Sequence, residues 1–519
     1  MRWQPLAVWT LVAVVGFPPA LAVGEVEITV DAAKLRQVME GFGATTGSLV
    51  YEGPLGDTLT LELRARAIKA IYGEVKINGG NLDLHFLRDV APQPSSSPFH
   101  PELATRAAHL ETSTRPAQLW NGYKTFGSEA MRTKVVDLGR EYGFTEFCLH
   151  PKINTRFGSP HLQQLQKQDR ERFLTEAAEQ VVMCARFWRD QYKITPRFIM
   201  PFNEPTSGNR ELSNGGIRDV VDLTKAVGKG LRAEGFKEVL LVVPCEETVA
   251  QSLKVSQAIL EDEEARPFVG AIGYHCYPYG SPYASVKRIL QGPGKGKPDP
   301  KEIEVRQKLA ELAAKHKLPL WMTEVSHSEV PALSFDALRG RAIHIHDELK
   351  YASASAFYGM NSMWDLTSHR DHFKGRGGDA KDALLSEQDT IVLIDNEKNE
   401  VYITGMGRAI GHYARWVPRG AVRLDAEAAD PRVLVSAFHD QKAKRLVLVL
   451  INNGGDAQEA SVTAKGLELA GKGTGEQSTE GSIWKEMTPP EPAGGTLVLR
   501  LPAVSVTSLA LPVTAVAPK

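Results

Sequence analysis

Cysteine is scarce in this chain. The four present in 519 residues, Cys148, Cys184, Cys245 and Cys276, each sit inside an apolar segment, and none belongs to a Cys-x-x-Cys pair. This excludes a disulfide framework as the organiser of the fold and leaves buried thiols rather than a zinc site. Charge of one sign is missing too. Lys plus Arg number 61 against 62 for Asp plus Glu, and a net charge of -1 makes no electrostatic case for nucleic acid or an acidic membrane surface. Long apolar runs are absent beyond the N-terminus, so no stable membrane insertion is expected. The early run, residues 6–17 behind Arg2, is short for a bilayer span, and Ala20-Leu21-Ala22 supplies the small residues of a signal-peptidase site. Residues 1–22 are therefore read as a signal peptide cleaved near Ala22, and the mature chain as secreted or periplasmic.

What is present is enough apolar material for a large core. Hydrophobic residues make up 42% of the chain and charged ones 24%, which at this length implies more than one domain. Between residues 38 and 416 the hydrophobic pattern alternates between short apolar runs and 3.6-period stretches. Strands are expected around Gly41-Phe42-Gly43 and over 75–81, 146–150, 197–202, 239–244, 269–275, 318–323 and 356–364. The intervening helices are expected over 61–72, 128–142, 169–192, 217–233, 252–262, 301–316 and 335–352, with 408–416 closing the last repeat. Eight such repeats predict an α/β fold, a (β/α)8 TIM barrel with a parallel sheet. After residue 416 the period shortens to two, with runs over 433–438, 445–452, 460–464, 481–485, 496–501 and 505–511. That pattern predicts a C-terminal antiparallel β-sandwich over 417–519, joined by an N-terminal strand from 23–37.

Chemistry is expected where barrel strands end. Phe198-Ile199-Met200-Pro201-Phe202 runs into Asn203-Glu204-Pro205, and Leu320-Trp321-Met322-Thr323 runs into Glu324. Two carboxylates on separate strand ends are the minimum equipment for splitting a glycosidic bond. His275 and Tyr277 project the same way along an extended strand, which places the phenol near Glu324; a buried, mutually satisfied pair is the competing view. Two connections, 91–126 and 368–388, are longer than a barrel needs and follow strand ends, so they belong over the same face. The first carries Trp120, a candidate substrate-binding aromatic.

The ordered set Gly41-Phe42-Gly43, Asn203-Glu204-Pro205, His275-x-Tyr277, Thr323-Glu324, Trp364 and Val417-Pro418-Arg419-Gly420-Ala421-Val422 resembles clan A retaining glycoside hydrolases, most closely glycoside hydrolase family 30. The resemblance covers nearly the whole mature chain. It implies Glu204 as general acid/base, Glu324 as nucleophile, Asn203 as the partner of a sugar 2-hydroxyl, and Trp364 as an aromatic floor of the sugar subsite. On residue type alone Asn203 could equally form the turn, and Trp364 could be a core side chain. The implied partner is a β-linked oligosaccharide, polysaccharide or glycoconjugate, with no cofactor and no metal. Lys76 stands where the family has an arginine, and Cys148-Leu149-His150-Pro151-Lys152-Ile153-Asn154 replaces its Trp-Ser-Pro-Pro turn.

A sugar-binding protein on an inactive barrel would lack one glutamate, and neither is missing. A metal-dependent barrel hydrolase would need a ligand set. His344-x-His346 diverges on a helix, and His369, Asp371 and His372 lack supporting spacing. Glu246-Glu247, after the fifth strand, could contact a sugar hydroxyl but is read first as a solvated rim.

Overall fold

In the computed structural model the described residues are 24–45, 60–83, 129–144, 148–153, 155, 160–207, 210–212, 215–277, 290, 300–325, 330–366 and 390–515. Trp120, the 91–126 and 368–388 connections, His369, Asp371, His372 and the leader lie outside them.

Eight parallel strands close into a barrel in chain order: β2 (Gly41–Thr45), β3 (Gly79–Asp83), β4 (Cys148–His150), β5 (Phe198–Ile199), β6 (Leu240–Glu246), β7 (Val269–His275), β8 (Leu320–Glu324) and β9 (Ala354–Gly359), with β9 pairing back onto β2. Helices α1 (Leu61–Lys69), α2 (Glu129–Glu141), α3 (Pro160–Gln168), α4 (Arg170–Tyr192), α5 (Ile217–Ala233), α6 (Val249–Glu261), α7 (Pro300–His316), α8 (Phe335–Asp347) and α9 (Gly405–Ala414) follow the strands. In α4, Asp169 caps the first turn by accepting from the Arg172 N–H, and Phe173, Ala177, Val181, Cys184 and Trp188 form one buried stripe. Lys193 in left-handed conformation ends it.

The lumen is filled by Cys148, Phe198, Met200, Val242, Cys245, Ala271, Trp321, Ala356 and Tyr358, with Phe198 edge-on to Trp321 at 4.7 Å. The strands therefore enclose a packed plug, and chemistry is left to their C-terminal ends. All four cysteines are buried and free. Closure depends on glycine where β2 meets β3, since a Cβ on Gly43 would lie 1.7 Å from the Gly79 carbonyl oxygen.

Two strand expectations shift. Residues 75–78 are not extended, because Ala70–Val75 is a π-helical turn and Lys76 is left-handed (φ 57°), so β3 starts at Gly79. The run 356–364 divides into β9 and β10 (Met363–Asp365), which joins β11 (Val392–Asp395) and β12 (Glu400–Ile403) in a small separate sheet.

Beyond α9 the chain forms β13 (Val422–Ala428), β14 (Val433–Asp440), β15 (Arg445–Asn452), β16 (Gln458–Lys465), β17 (Leu467–Leu469), β18 (Thr474–Thr479), β19 (Ser482–Met487), β20 (Thr496–Leu501) and β21 (Ser505–Ala515). The N-terminal β1 (Gly24–Val38) lies between β13 and β16, antiparallel to the first and parallel to the second. Leucines from β15, β20 and β21 share one apolar cluster with Val26, Ile28 and Val30 of β1, so the sheet folds over on itself into a sandwich. Strand β15 is apolar on both faces. Leu446, Leu448 and Leu450 point into the sandwich, and Val447, Val449 and Ile451 join the cluster around the barrel helices. At about 1.5–3 kcal/mol for each buried aliphatic side chain, this one strand ties the two domains together strongly. None of the described helices is long and apolar enough to cross a membrane.

Candidate active site

Strand β5 is only two residues long, and the segment after it is held by single hydrogen bonds to its neighbours. The Met200 N–H donates to the Leu149 carbonyl (2.7 Å), the Ile153 N–H to the Pro201 carbonyl (2.8 Å), and the Glu204 N–H to the Cys245 carbonyl (2.8 Å). Glu204 itself is left-handed, with φ of 46°, an uncommon conformation for a residue with a side chain. Pro205 then prevents continuation as a helix. The turn buries the Glu204 side chain at the barrel mouth instead of releasing it to solvent.

Glu324 is the last residue of β8, directly across from His275, the last residue of β7. His275 Nδ1 lies 3.1 Å from Glu204 Oε1, and the Tyr277 hydroxyl donates to Glu324 Oε1 at 2.8 Å. One oxygen of Glu204, one nitrogen of His275 and one oxygen of Glu324 all lie within 4.8 Å of one another. The structure thus brings Glu204, Glu324, His275 and Tyr277 together at the barrel mouth. Burial pulls the His275 imidazole down, but the charge of Glu324 and the bond to Glu204 outweigh it, so its pKa is raised.

Asn203 is buried beside them, its amide donating to Glu211 Oε1 at 3.1 Å, while its Oδ1 has no partner among the described residues. Trp364 lies on β10, packed beside Ala332, Leu366 and Leu393. Trp120 falls outside the described residues. Lys76 is away from this mouth, lining a 380 Å³ cleft with Tyr72, Tyr142, Phe144 and Arg419. A different cation serves the site. Lys152, buried after β4, acts electrostatically on both His275 and Cys245. Its position in the segment that replaces the family's turn was the available signal.

The reading of Glu246-Glu247 as a solvated rim is wrong. Glu246 is 0% and Glu247 6% exposed. Burial raises the pKa of both. Glu247 reaches about 7, through burial first, then the charge of Glu204 with a smaller push from Glu246, opposed by His275.

A cation would also fit the spacing of Glu204, His275 and Glu324, although Glu204 and His275 are already joined and Glu324 already accepts from Tyr277, while His275 Nε2 has no partner among the described residues. A second buried group, Cys276, His344 and Glu348, lies behind β7. There Glu348 pairs with Arg306 at 2.9 Å and accepts from the Tyr274 hydroxyl at 2.8 Å, an ion network that fixes the strand carrying His275.

No family model matches the chain, and no curated protein matches it in sequence. Solved structures do match in shape. A glycoside hydrolase family 30 subfamily 8 xylanase from Clostridium acetobutylicum has 17% identity and a TM-score of 0.61, over 94% of this chain and 99% of the other. The catalytic domain of a GH30 xylanase from Talaromyces cellulolyticus has 14% identity and a TM-score of 0.61, over 93% and 99%. A conserved exported protein from Bacteroides fragilis has 14% identity and a TM-score of 0.64, over 93% and 99%. The fold is that of the family 30-like clan A glycoside hydrolases, barrel and sandwich together.

Proposed function

We propose that the chain is a retaining glycoside hydrolase that cleaves β-glycosidic bonds by double displacement, exported after cleavage near Ala22. The observation that carries this is the approach of Glu204 and Glu324, whose nearest oxygens lie within 4.8 Å. Retaining enzymes hold their two carboxyl groups about 5–5.5 Å apart, whereas inverting enzymes leave about 6.5–9.5 Å for a water.

In the first step a Glu324 oxygen bonds to the anomeric carbon as the glycosidic bond breaks, and the departing oxygen takes the proton held by Glu204. Tyr277 keeps the attacking carboxylate oriented, and Lys152 and His275 offset the acidic field. In the second step a water gives its proton to Glu204 and its oxygen to the anomeric carbon, releasing Glu324. The open Oδ1 of Asn203 is available to accept from a sugar hydroxyl.

A panel of nitrophenyl glycosides alongside β-linked polysaccharides tests the proposal, with xylan first because the matched structures include xylanases. The expected outcome is chelator-insensitive hydrolysis of at least one β-glycoside, lost in Glu324→Gly. Full activity in that variant, or tight oligosaccharide binding without turnover across the panel, would overturn it.

A further inference from the structure

The backbone that presents Glu204 is strained at two adjacent points. Glu204 (φ 46°) and Cys245 (φ 58°) are both left-handed, and they are joined through the Glu204 N–H and the Cys245 carbonyl. A non-glycine residue in this region is disfavoured and persists only where its surroundings impose it. The two-residue β5 cannot impose it, because its ladder ends well before Glu204.

The Glu246 carboxylate can. Oε1 accepts from the Thr206 N–H (3.1 Å) and hydroxyl (2.8 Å), and Oε2 from the Ser207 N–H (3.0 Å) and hydroxyl (2.6 Å). These donors belong to the residues that follow Glu204-Pro205. Among the described residues this fully buried carboxylate has no ion-pair partner, so its charge is met by these donors. Such an arrangement has one geometry that satisfies it, and that geometry fixes the turn.

We infer that Glu246 is a positioning residue for the acid/base: its carboxylate clamps Thr206 and Ser207 and so holds Glu204 at the leaving-group oxygen. The inference rests on the proposed glycosidase activity. Glu246→Gln is isosteric, yet its amide would turn a donor toward donors and release the turn. A displacement of about 1 Å at a catalytic group can cost about 100-fold, and the loss should fall only where protonation matters.

The test uses phenyl and 2,4-dinitrophenyl glycosides of the sugar that the parent cleaves fastest. For Glu246→Gln, kcat/KM on the phenyl glycoside should drop about 100-fold, near the low end of a general acid's contribution. On the dinitrophenyl glycoside, whose leaving group needs no proton, kcat/KM should stay within about 3-fold of the parent, because the acid's share is absent there. Azide should raise kcat on the dinitrophenyl glycoside by replacing the water that Glu204 would have activated. Equal losses on both glycosides, or no loss, would overturn the inference. If Glu246→Gln does not fold, Thr206→Val and Ser207→Ala remove donors from the other side and should show the same asymmetry, with its absence counting against the clamp. Glu204→Ala separates the two levels. If it shows the asymmetry and the clamp variants do not, only the clamp fails; if it shows none, the glycosidase assignment of Glu204 fails.

Discussion

Tyr277 is the residue on which the Glu324 geometry most visibly depends. Its hydroxyl donates to Glu324 Oε1 and touches the Met360 sulfur at 3.3 Å, so the phenol engages one of the two Glu324 oxygens. A hydrogen bond to a charged group contributes about 1.5–3 kcal/mol. Tyr277→Phe should therefore lower kcat/KM by roughly 10- to 100-fold with little change in melting temperature, since the ring stays in place. Steady-state kinetics beside a thermal melt checks this, and unchanged kinetics would remove Tyr277 from the catalytic set. At this scale much of the site was legible. The strand-end glutamates and the His-x-Tyr spacing follow from alternation along extended chain, and alternation is a local rule. Glu246 was not legible. Its burial is produced by Thr206 and Ser207, 40 and 39 residues away in sequence, and nothing local distinguishes it from a surface acid.

Among the elements, the contact of β2 with β3 is the least tolerant. Gly43 packs its Cα against the Gly79 carbonyl, and even a methyl group would overlap backbone. Gly43→Ala should destabilise the fold by about 3 kcal/mol, the upper range for overpacking, because no side chain can move aside. Denaturant unfolding with an unchanged m-value would record it, and a loss below about 0.5 kcal/mol, the scatter of ordinary surface substitutions, would show that the two strands can separate. The helices were the most readable elements, because their apolar stripes are long: α5 over Ile217–Ala233 is an example. Strand β18, Thr474–Thr479, escaped the hydrophobic pattern because its buried side chains are polar. Ser478 bonds His412, and Glu476 pairs with Arg415 at 3.0 Å. Strand β17, three residues long, is too short for an alternation to stand out.

Across the whole molecule the barrel and sandwich meet through apolar packing and through two buried histidines. His346 of α8 lies 2.9 Å from the Ser436 hydroxyl, and His412 of α9 lies 2.8 Å from both Ser508 and Ser478. Burial, then nearby cations, pulls both rings down to about 3, so they stay neutral in the folded state. An unfolded histidine titrates near pH 6.5. Between about pH 6.5 and pH 3 the unfolded chain binds more protons than the folded one, so this stability is present above pH 6.5 and lost as pH falls. Glu247 has the opposite sign. With a folded pKa of about 7 its contribution is complete below its unfolded pKa and lost as pH rises toward 7. Melting temperature should therefore fall between pH 6.5 and pH 4, with His412→Gln flattening the fall, while Glu247→Gln should gain on the parent at pH 8. Melts across that range decide it, and a parent equally stable at pH 4 and 6.5 would contradict the histidine account. The domain plan was legible in the change from period 3.6 to period 2 near residue 416, but these interdomain histidines were not, because each serine partner lies far along the chain. The proposed nucleophile role of Glu324 is tested most directly by trapping. Incubation with an activated 2-deoxy-2-fluoro β-glycoside, followed by peptide mass spectrometry, should find the sugar esterified to Glu324 as activity disappears. A label on another residue, or continued turnover with no label at all, would contradict it.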